Sequence, residues 1–154
     1  MSEKLEVVKS WFERVWAQED EAAIEELFVS DGPARGLGTY VRNDEACFAD
    51  HARIGPEGFR EFHRSLLKLV GNVDISVTMD MEQGDWLALL CVLKATKRGT
   101  DMKVQTTGTI FIKVANEQII EAYNHFDFMS LFGQLGLLPE NAFGECLCGE
   151  RIGV

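Results

Sequence analysis

The spacing of apolar residues divides the chain into a helical amino-terminal part and a strand-rich carboxy-terminal part. Apolar residues three or four apart predict helices that begin near Leu5, after Asp20 and at Gly55. Asp20 can cap the second helix through its carboxylate. Pro56 suits the first turn of the third helix, where its missing N–H costs nothing, and Gly71 is placed to end that helix.

Beyond Asn72 the pattern changes to strict alternation, which predicts strands. The strands are expected near residues 73–82, 86–96, 103–114 and 118–126, and a closing helix over 128–136. Short turns between successive strands favour an antiparallel meander. Residues 34–54 have no regular pattern, with 39–41 as a candidate short strand. The order of helices, sheet and final helix predicts one α+β domain.

The length and the net charge of the chain exclude some classes of function. The 154 residues suit one domain, and the net charge of −10 argues against a nucleic-acid partner, which needs clustered Lys and Arg. No segment approaches the roughly 20 apolar residues of a membrane helix. The amino terminus does not read as a secretory signal, so the four cysteines are expected to be reduced in a cytoplasmic protein.

The candidate chemistry lies where the last strand meets the closing helix. Alternation places Tyr123, His125 and Asp127 on one face of the strand, with Asn124 and Phe126 on the other. A carboxylate in an apolar cavity has its pKa raised by desolvation, which suits proton removal next to a carbonyl near neutral pH. Asp127 is therefore the acid/base candidate; the alternative is that Asp127 caps the closing helix.

Two neighbours of this carboxylate have candidate roles of their own. His125 is an acid/base partner, a donor that holds a substrate oxygen, or a histidine that is simply hydrogen-bonded in place. Tyr123 combines an aromatic wall with a polar tip, which favours a pocket wall over catalysis.

Further residues could line a cavity. His63 lies at the margin of the third helix's apolar face, and Trp16 belongs to the apolar face of the first helix; each fits a pocket wall or a core position. Gln105 and Thr107 alternate along a strand, a pattern shared by a cavity lining and a solvent-facing sheet. His51, although next to Asp50, is expected in a surface loop.

Metal and nucleotide motifs are not evident. Cys146 and Cys148 form a close pair, but no second pair of Cys or His stands at a spacing that would complete a zinc site. We therefore interpret them as part of a loose, reduced tail, and expect no metal and no cofactor. The short stretch Gly36-Leu37-Gly38 is too small for a nucleotide fingerprint and suits a turn.

Several local motifs occur together in one order: Val15-Trp16-Ala17-Gln18-Glu19-Asp20, Arg35-Gly36-Leu37-Gly38, Gly55-Pro56-Glu57-Gly58-Phe59-Arg60-Glu61-Phe62, Gly108-Thr109-Ile110-Phe111, and Ile120-Glu121-Ala122-Tyr123-Asn124-His125-Phe126-Asp127-Phe128 with Gln134-Leu135-Gly136. This series resembles the SnoaL-like polyketide cyclase (ester cyclase) branch of the NTF2-like superfamily, over about residues 5–139. The chain departs from the family pattern at Tyr123, usually Trp, and at His125, often Asn.

The resemblance implies a cone: helices closing one side of a strongly curved antiparallel sheet around a pocket. It further implies cofactor-independent ring closure of a polyketide-like molecule, with Asp127 as general acid/base. We therefore expect ring closure or a related isomerisation of a hydrophobic, carbonyl-containing molecule, in which His125, Tyr123 or Asn124 binds the developing enolate oxygen. The domain is expected over residues 1–139, followed by a tail over 140–154. A homodimer through the open sheet face is expected. The alternatives are a small-molecule-binding module without catalysis, and a structural or dimerisation module with a filled cavity.

Overall fold

A computed structural model describes residues 2–38 and 52–153 of the chain. The predicted strand at 39–41 and His51 lie outside these residues. The helices are α1 (Glu3–Trp11), α2 (Ala22–Leu27), α3 (Gly55–Leu69), α4 (Phe128–Gln134) and α5 (Ala142–Leu147), and a π-helical segment, Phe12–Ala17, directly follows α1. The strands are β1 (Pro33–Arg35), β2 (Arg53–Ile54), β3 (Val70–Gln83), β4 (Trp86–Lys97), β5 (Lys103–Ala115) and β6 (Gln118–Phe126).

The first helix changes its winding halfway along. Ser2 caps α1 by accepting the Leu5 N–H at 3.1 Å. In the π-helical segment the Gln18 N–H donates to the Glu13 carbonyl, five residues back, at 2.9 Å. Phe12, Val15 and Trp16 of this segment are buried. The single helix predicted from periodicity is therefore an α-helix continued by a π-helical turn.

The six strands form one sheet in the order β2-β1-β6-β5-β4-β3. Strands β3 to β6 make the predicted antiparallel meander, while β1 runs parallel to β6. Register shifts in β3, between Gly71 and Asp74 and between Val77 and Met79, mark irregularities of the kind that bend a sheet. The α+β fold with a curved, open sheet is confirmed.

The third helix ends one residue earlier than the sequence suggests. α3 stops at Leu69 and β3 begins at Val70, so Gly71 lies within a strand and is not the helix terminator. A Cβ on Gly71 would lie 3.0 Å from the Arg98 guanidinium carbon. Arg98 instead ties the helix end to the sheet, since it donates to the carbonyls of Leu67 and Val70.

The core lies between the helices and the inward face of the sheet. Alternate residues of β4 and β5 point into it and are buried, among them Leu87, Leu89, Leu93, Ile110 and Ile112. The helices contribute an aromatic cluster in which Trp11 and Phe59 meet edge-on, with ring centroids 4.9 Å apart. The opposite face of the sheet carries no helix among the described residues.

The segment that follows β1 lies very close to its neighbour β6, and Gly36 makes this close approach possible. Gly36 has φ +83°, and a Cβ there would lie 1.7 Å from the Asn124 carbonyl oxygen. The backbone of the Arg35-Gly36-Leu37-Gly38 motif therefore rests directly against β6, and Leu37 is buried beside the core.

The carboxy-terminal tail is more ordered than the sequence suggests. Residues 142–147 form α5, whose Ala142 is buried. The prediction of a loose tail is therefore wrong over this segment, although Cys146 and Cys148 are exposed free thiols as expected. Among the described residues no helix has both the length and the apolar character needed to cross a membrane.

Candidate active site

An apolar cavity lies between the helices and the inward face of the sheet. Its volume is about 50 Å³. Every element that packs against the core except α2, β2 and α5 contributes to its wall. The described lining residues are Trp11, Phe12, Trp16, Phe28, Ala34, Leu37, Phe59, Phe62, Leu66, Ile75, Leu93, Ile110, Ile112, Ile119, Ala122, Asn124, Phe126 and Phe128.

One described lining side chain, Asn124, is polar. Its amide nitrogen donates to the Arg35 carbonyl at 3.0 Å, which fixes the orientation of the side chain. The second amide N–H can still donate a hydrogen bond to a bound molecule, and the amide oxygen can accept one. An apolar wall with one oriented polar group is typical of small-molecule sites.

The cavity is small for a ligand site. Pockets that hold drug-sized molecules measure about 300–1,000 Å³, whereas this cavity of about 50 Å³ has room for a few water molecules. Three of its aromatic side chains, Phe62, Phe126 and Phe128, are only half-buried. A larger ligand therefore requires these rings to move, and their partial exposure makes them the part of the wall with room to do so.

Asp127 lies at the predicted junction but outside the cavity wall. It is the N-cap of α4, and its carboxylate Oδ1 accepts the Ser130 N–H at 2.9 Å. Two hydrogen bonds hold its backbone. The Asp127 N–H donates to the Thr107 carbonyl, and the Thr106 hydroxyl donates to the Asp127 carbonyl at 2.8 Å. The side chain is exposed, so the helix-capping alternative describes this conformation.

His125 and Thr107 lie on the outer face of the sheet with Asp127. All three line an open groove of about 460 Å³, whose wall also includes Asn124 and Gly108. The predicted alternation is correct, but the set that faces the cavity is Asn124 and Phe126, not Tyr123 and His125. Asn124 thus belongs to both the cavity and the groove.

The outer face also holds Tyr123 and Gln105, which corrects their predicted place in a cavity wall. The Tyr123 ring lies 5.1 Å from the Arg35 guanidinium and 6.1 Å from the Trp86 ring. Gln105 is exposed, and its backbone pairs with the Gln134 side chain. The β5 pattern is therefore that of a solvent-facing sheet surface.

His63 and Trp16 are both buried, with different surroundings. Trp16 lines the cavity, where its ring meets Phe62 edge-on at 6.0 Å. His63 does not line it: Nε2 lies 2.7 Å from the Val15 carbonyl. A carbonyl only accepts, so Nε2 carries the proton and satisfies a carbonyl at the end of the π-helical segment. His63 has the core position that the sequence left open.

Two further residues position the site and were not singled out from the sequence. Arg35 pairs with Glu121 at 3.1 Å and supplies the carbonyl that holds Asn124. Gln134 fastens α4 to β5 through both backbone groups of Gln105. Both residues fall within the family motifs, but their sequence spacing says nothing about these long-range partners.

No group of three or more His, Cys, Asp or Glu side chains is arranged to hold a metal within residues 2–38 and 52–153. The buried thiol of Cys91 stands apart from the cavity wall, and burial raises its pKa to about 11. Such a thiol is a poor nucleophile at neutral pH.

The family model for SnoaL-like polyketide cyclase matches residues 6–135. No curated protein sequence matches the chain.

Solved structures give the same fold at low identity. IdmH, a proposed polyketide cyclase from Streptomyces antibioticus, is 19% identical with a TM-score of 0.70, covering 88% of this chain and 99% of that one. A proposed polyketide cyclase from Bacillus cereus is 18% identical with a TM-score of 0.69, covering 88% and 81%. A protein from Catenulispora acidiphila that has a ketosteroid isomerase-like fold, in complex with trimethylamine, is 19% identical with a TM-score of 0.67, covering 86% and 93%.

Proposed function

This chain belongs to the SnoaL-like polyketide cyclase family, and on that basis we propose that it is a cofactor-independent enzyme of the cyclase or isomerase type. Its substrate is a hydrophobic small molecule that carries a carbonyl group. The chemistry is removal and return of a proton next to that carbonyl, leading to ring closure or isomerisation.

The observation that carries this proposal is the apolar cavity with Asn124 in its wall. An apolar molecule gains free energy by leaving water for such a site. A polar group held in fixed orientation can then select which end of the molecule lies next to β6. Asn124 also borders the outer groove, so a substrate bound beside it lies near the strand end that carries Asp127.

In this proposal Asp127 is the general acid/base. Its carboxylate must leave the Ser130 N–H and turn around the end of β6, where Asn124 and Phe126 border both the cavity and the groove. A bound apolar molecule would displace water from the carboxylate, and a carboxylate without its water is a better base. His125, in the same groove, is the candidate partner for the developing oxygen charge.

Replacement of Asp127 by Asn tests this role. Asn also caps helices well, so Asp127→Asn should keep the melting temperature nearly unchanged. Loss of the base should slow proton exchange by about 10²–10⁴-fold. The measurement is deuterium incorporation from D2O into a panel of apolar β-keto esters, followed by NMR. We expect the wild type to exchange at least one of them faster than buffer does.

Asp101→Asn is the matched control, because it removes an exposed carboxylate from the turn between β4 and β5. It should exchange substrate at the wild-type rate. Asp127→Ala, which removes both the base and the cap, should lower the stability by about 1 kcal/mol as well. An unchanged exchange rate in Asp127→Asn would rule out the catalytic role.

A second candidate is a small-molecule-binding module without catalysis. It is favoured by the described cavity wall, which contains no titratable side chain, and by the capping role of Asp127. In that case apolar carbonyl compounds should raise the melting temperature equally in the wild type and in Asp127→Asn, with no deuterium exchange by either.

We also propose that two copies of the chain pair through the outer face of the sheet. Four large apolar side chains on that face are exposed: Met79, Met81, Leu90 and Phe111. Their strands are neighbours, so the side chains form a continuous patch, and such patches on a sheet mark association surfaces.

A further inference from the structure

We propose that Arg53 binds a carboxylate group of the ligand at the edge of the apolar cavity. The proposal rests on the proposed function, because it concerns a molecule held in the same cavity. It narrows the chemical class of the ligand: the ligand is an apolar molecule that carries a carboxylate, and not only a neutral carbonyl group.

The first observation is the burial of the Arg53 side chain, which is 10% exposed. It lies in β2, immediately before α3. Among the described arginines that form ion pairs, it is the most buried. A guanidinium is always charged, and charges removed from water are normally paired at short distance.

The second observation is how weakly this charge is paired. Among the described residues its carboxylate partner is the exposed side chain of Glu61, 3.8 Å away, and its contact with the Gly58 carbonyl is 3.3 Å. Arg60 and Arg98, which are more exposed, pair at 2.7 and 2.8 Å. In the part of the chain that the structure describes, the buried Arg53 Nε has no hydrogen-bond partner.

The third observation is the position of the guanidinium beside the cavity. It lies over the Phe62 ring, 5.6 Å from the ring centroid, and Phe62 forms part of the cavity wall. Phe62 also meets Phe128 edge-on at 6.0 Å, so it belongs to the half-buried aromatic side of the wall. A molecule that displaces this ring would bring its polar end close to Arg53.

The ligand group follows from the shape of the guanidinium. Its parallel N–H groups match the two oxygens of a carboxylate, and such charged pairs are stronger than neutral hydrogen bonds. An unpaired buried donor costs free energy in the empty protein, and that cost is removed when an anion binds. Arg53 therefore favours a carboxylate over a neutral analogue of the same shape.

The test compares binding of hydrocinnamate with that of its primary amide, hydrocinnamamide, by NMR titration at neutral pH. The wild type should bind the carboxylate about tenfold to a hundredfold more tightly than the amide. Arg53→Gln should abolish this preference, and Arg53→Lys, which keeps the charge but loses the paired geometry, should retain part of it. Arg64→Gln, a change of an exposed arginine on α3, should leave the preference intact.

Arg53→Met separates binding from a structural role. It replaces a poorly paired buried charge by an apolar side chain, so the melting temperature of the empty protein should stay the same or rise. Equal binding of acid and amide by the wild type would overturn the proposal. So would a carboxylate preference that survives in Arg53→Gln, or a fall in melting temperature of Arg53→Met with the preference unchanged.

Failure of this proposal is distinct from failure of the proposed function. Deuterium exchange into neutral keto esters, with no preference for carboxylates, would overturn only the role of Arg53. A carboxylate preference that depends on Arg53, with no exchange into any keto compound, would support the anion site and count against the proposed reaction.

Discussion

At the scale of single residues, the environment of a side chain decides its chemistry. Asp127 and Asn124 stand three positions apart, yet one caps a helix in contact with water and the other faces the apolar cavity. Cys91 shows the same dependence among the thiols: it is fully buried, while Cys146 and Cys148 are exposed. Desolvation disfavours the thiolate, so its pKa rises to about 11.

The raised pKa of Cys91 predicts a loss of stability at high pH. The unfolded chain ionises this thiol near its ordinary pKa of 9.0, and the folded chain only near 11. Between these values thiolate formation favours the unfolded state, so the stabilisation present below pH 9 is lost as the pH rises. Each pKa unit corresponds to about 1.4 kcal/mol.

Urea unfolding at pH values from 8 to 11 tests the predicted loss of stability. The free energy of unfolding should fall more steeply in the wild type than in Cys91→Val, which has no thiol. Cys146→Val, a change of an exposed thiol, is the control and should follow the wild type. Parallel curves for the wild type and Cys91→Val would contradict the prediction.

At the scale of elements, the short helix α4 depends on its attachment to β5. A helix of seven residues is not stable alone, and this one is held by the buried Leu131 and by Gln134. Pairing between β5 and β6 begins at Gly108, so Gln105 lies beyond it. The Gln134 amide takes the place of the missing strand, accepting the Gln105 N–H at 3.0 Å and donating to its carbonyl at 2.8 Å.

We therefore predict that Gln134→Leu destabilises the protein by about 1–2 kcal/mol, the net value of its two hydrogen bonds with Gln105. Chemical denaturation should show a lower midpoint with an unchanged slope. Gln83→Leu, at the exposed end of β3, is the control and should leave the midpoint within error. A wild-type midpoint in Gln134→Leu would mean that packing of Leu131 alone holds the helix.

At the scale of the whole molecule, the open sheet has one face covered by helices and one face exposed. Phe111 stands in the exposed face with Met79, Met81 and Leu90. Burial of about 800 Å² on each partner is typical of a stable pair. An apolar patch across neighbouring strands is suited to contribute the centre of such an interface.

If the outer face pairs two copies, the wild type should elute with twice the monomer mass in size exclusion with light scattering at micromolar concentration. Phe111→Glu places a charge in the patch and should give the monomer mass. Phe143→Glu changes an exposed phenylalanine on α5, away from the sheet, and should remain a dimer. A wild-type monomer would contradict the proposed pairing.

The sequence by itself determined the order of the long helices and strands and the bounds of most of them, because periodicity is a local property of the chain. The strands over 86–97, 103–115 and 118–126 lie within one residue of their predicted ends. Two local features were nevertheless not predictable from the sequence pattern. Apolar spacing could not reveal the π-helical turn at Phe12–Ala17, and Gly71 looked like a helix end although a strand begins before it.

Only the tertiary structure decided which side of β6 is the inside. Alternation separates Tyr123 and His125 from Asn124 and Phe126, but both sets mix aromatic and polar residues, so neither is recognisable as the core side. The choice is made by the helices, which cover the face of Asn124 and Phe126. The weakly paired charge of Arg53 was hidden for the same reason, because burial depends on contacts between segments far apart in the chain.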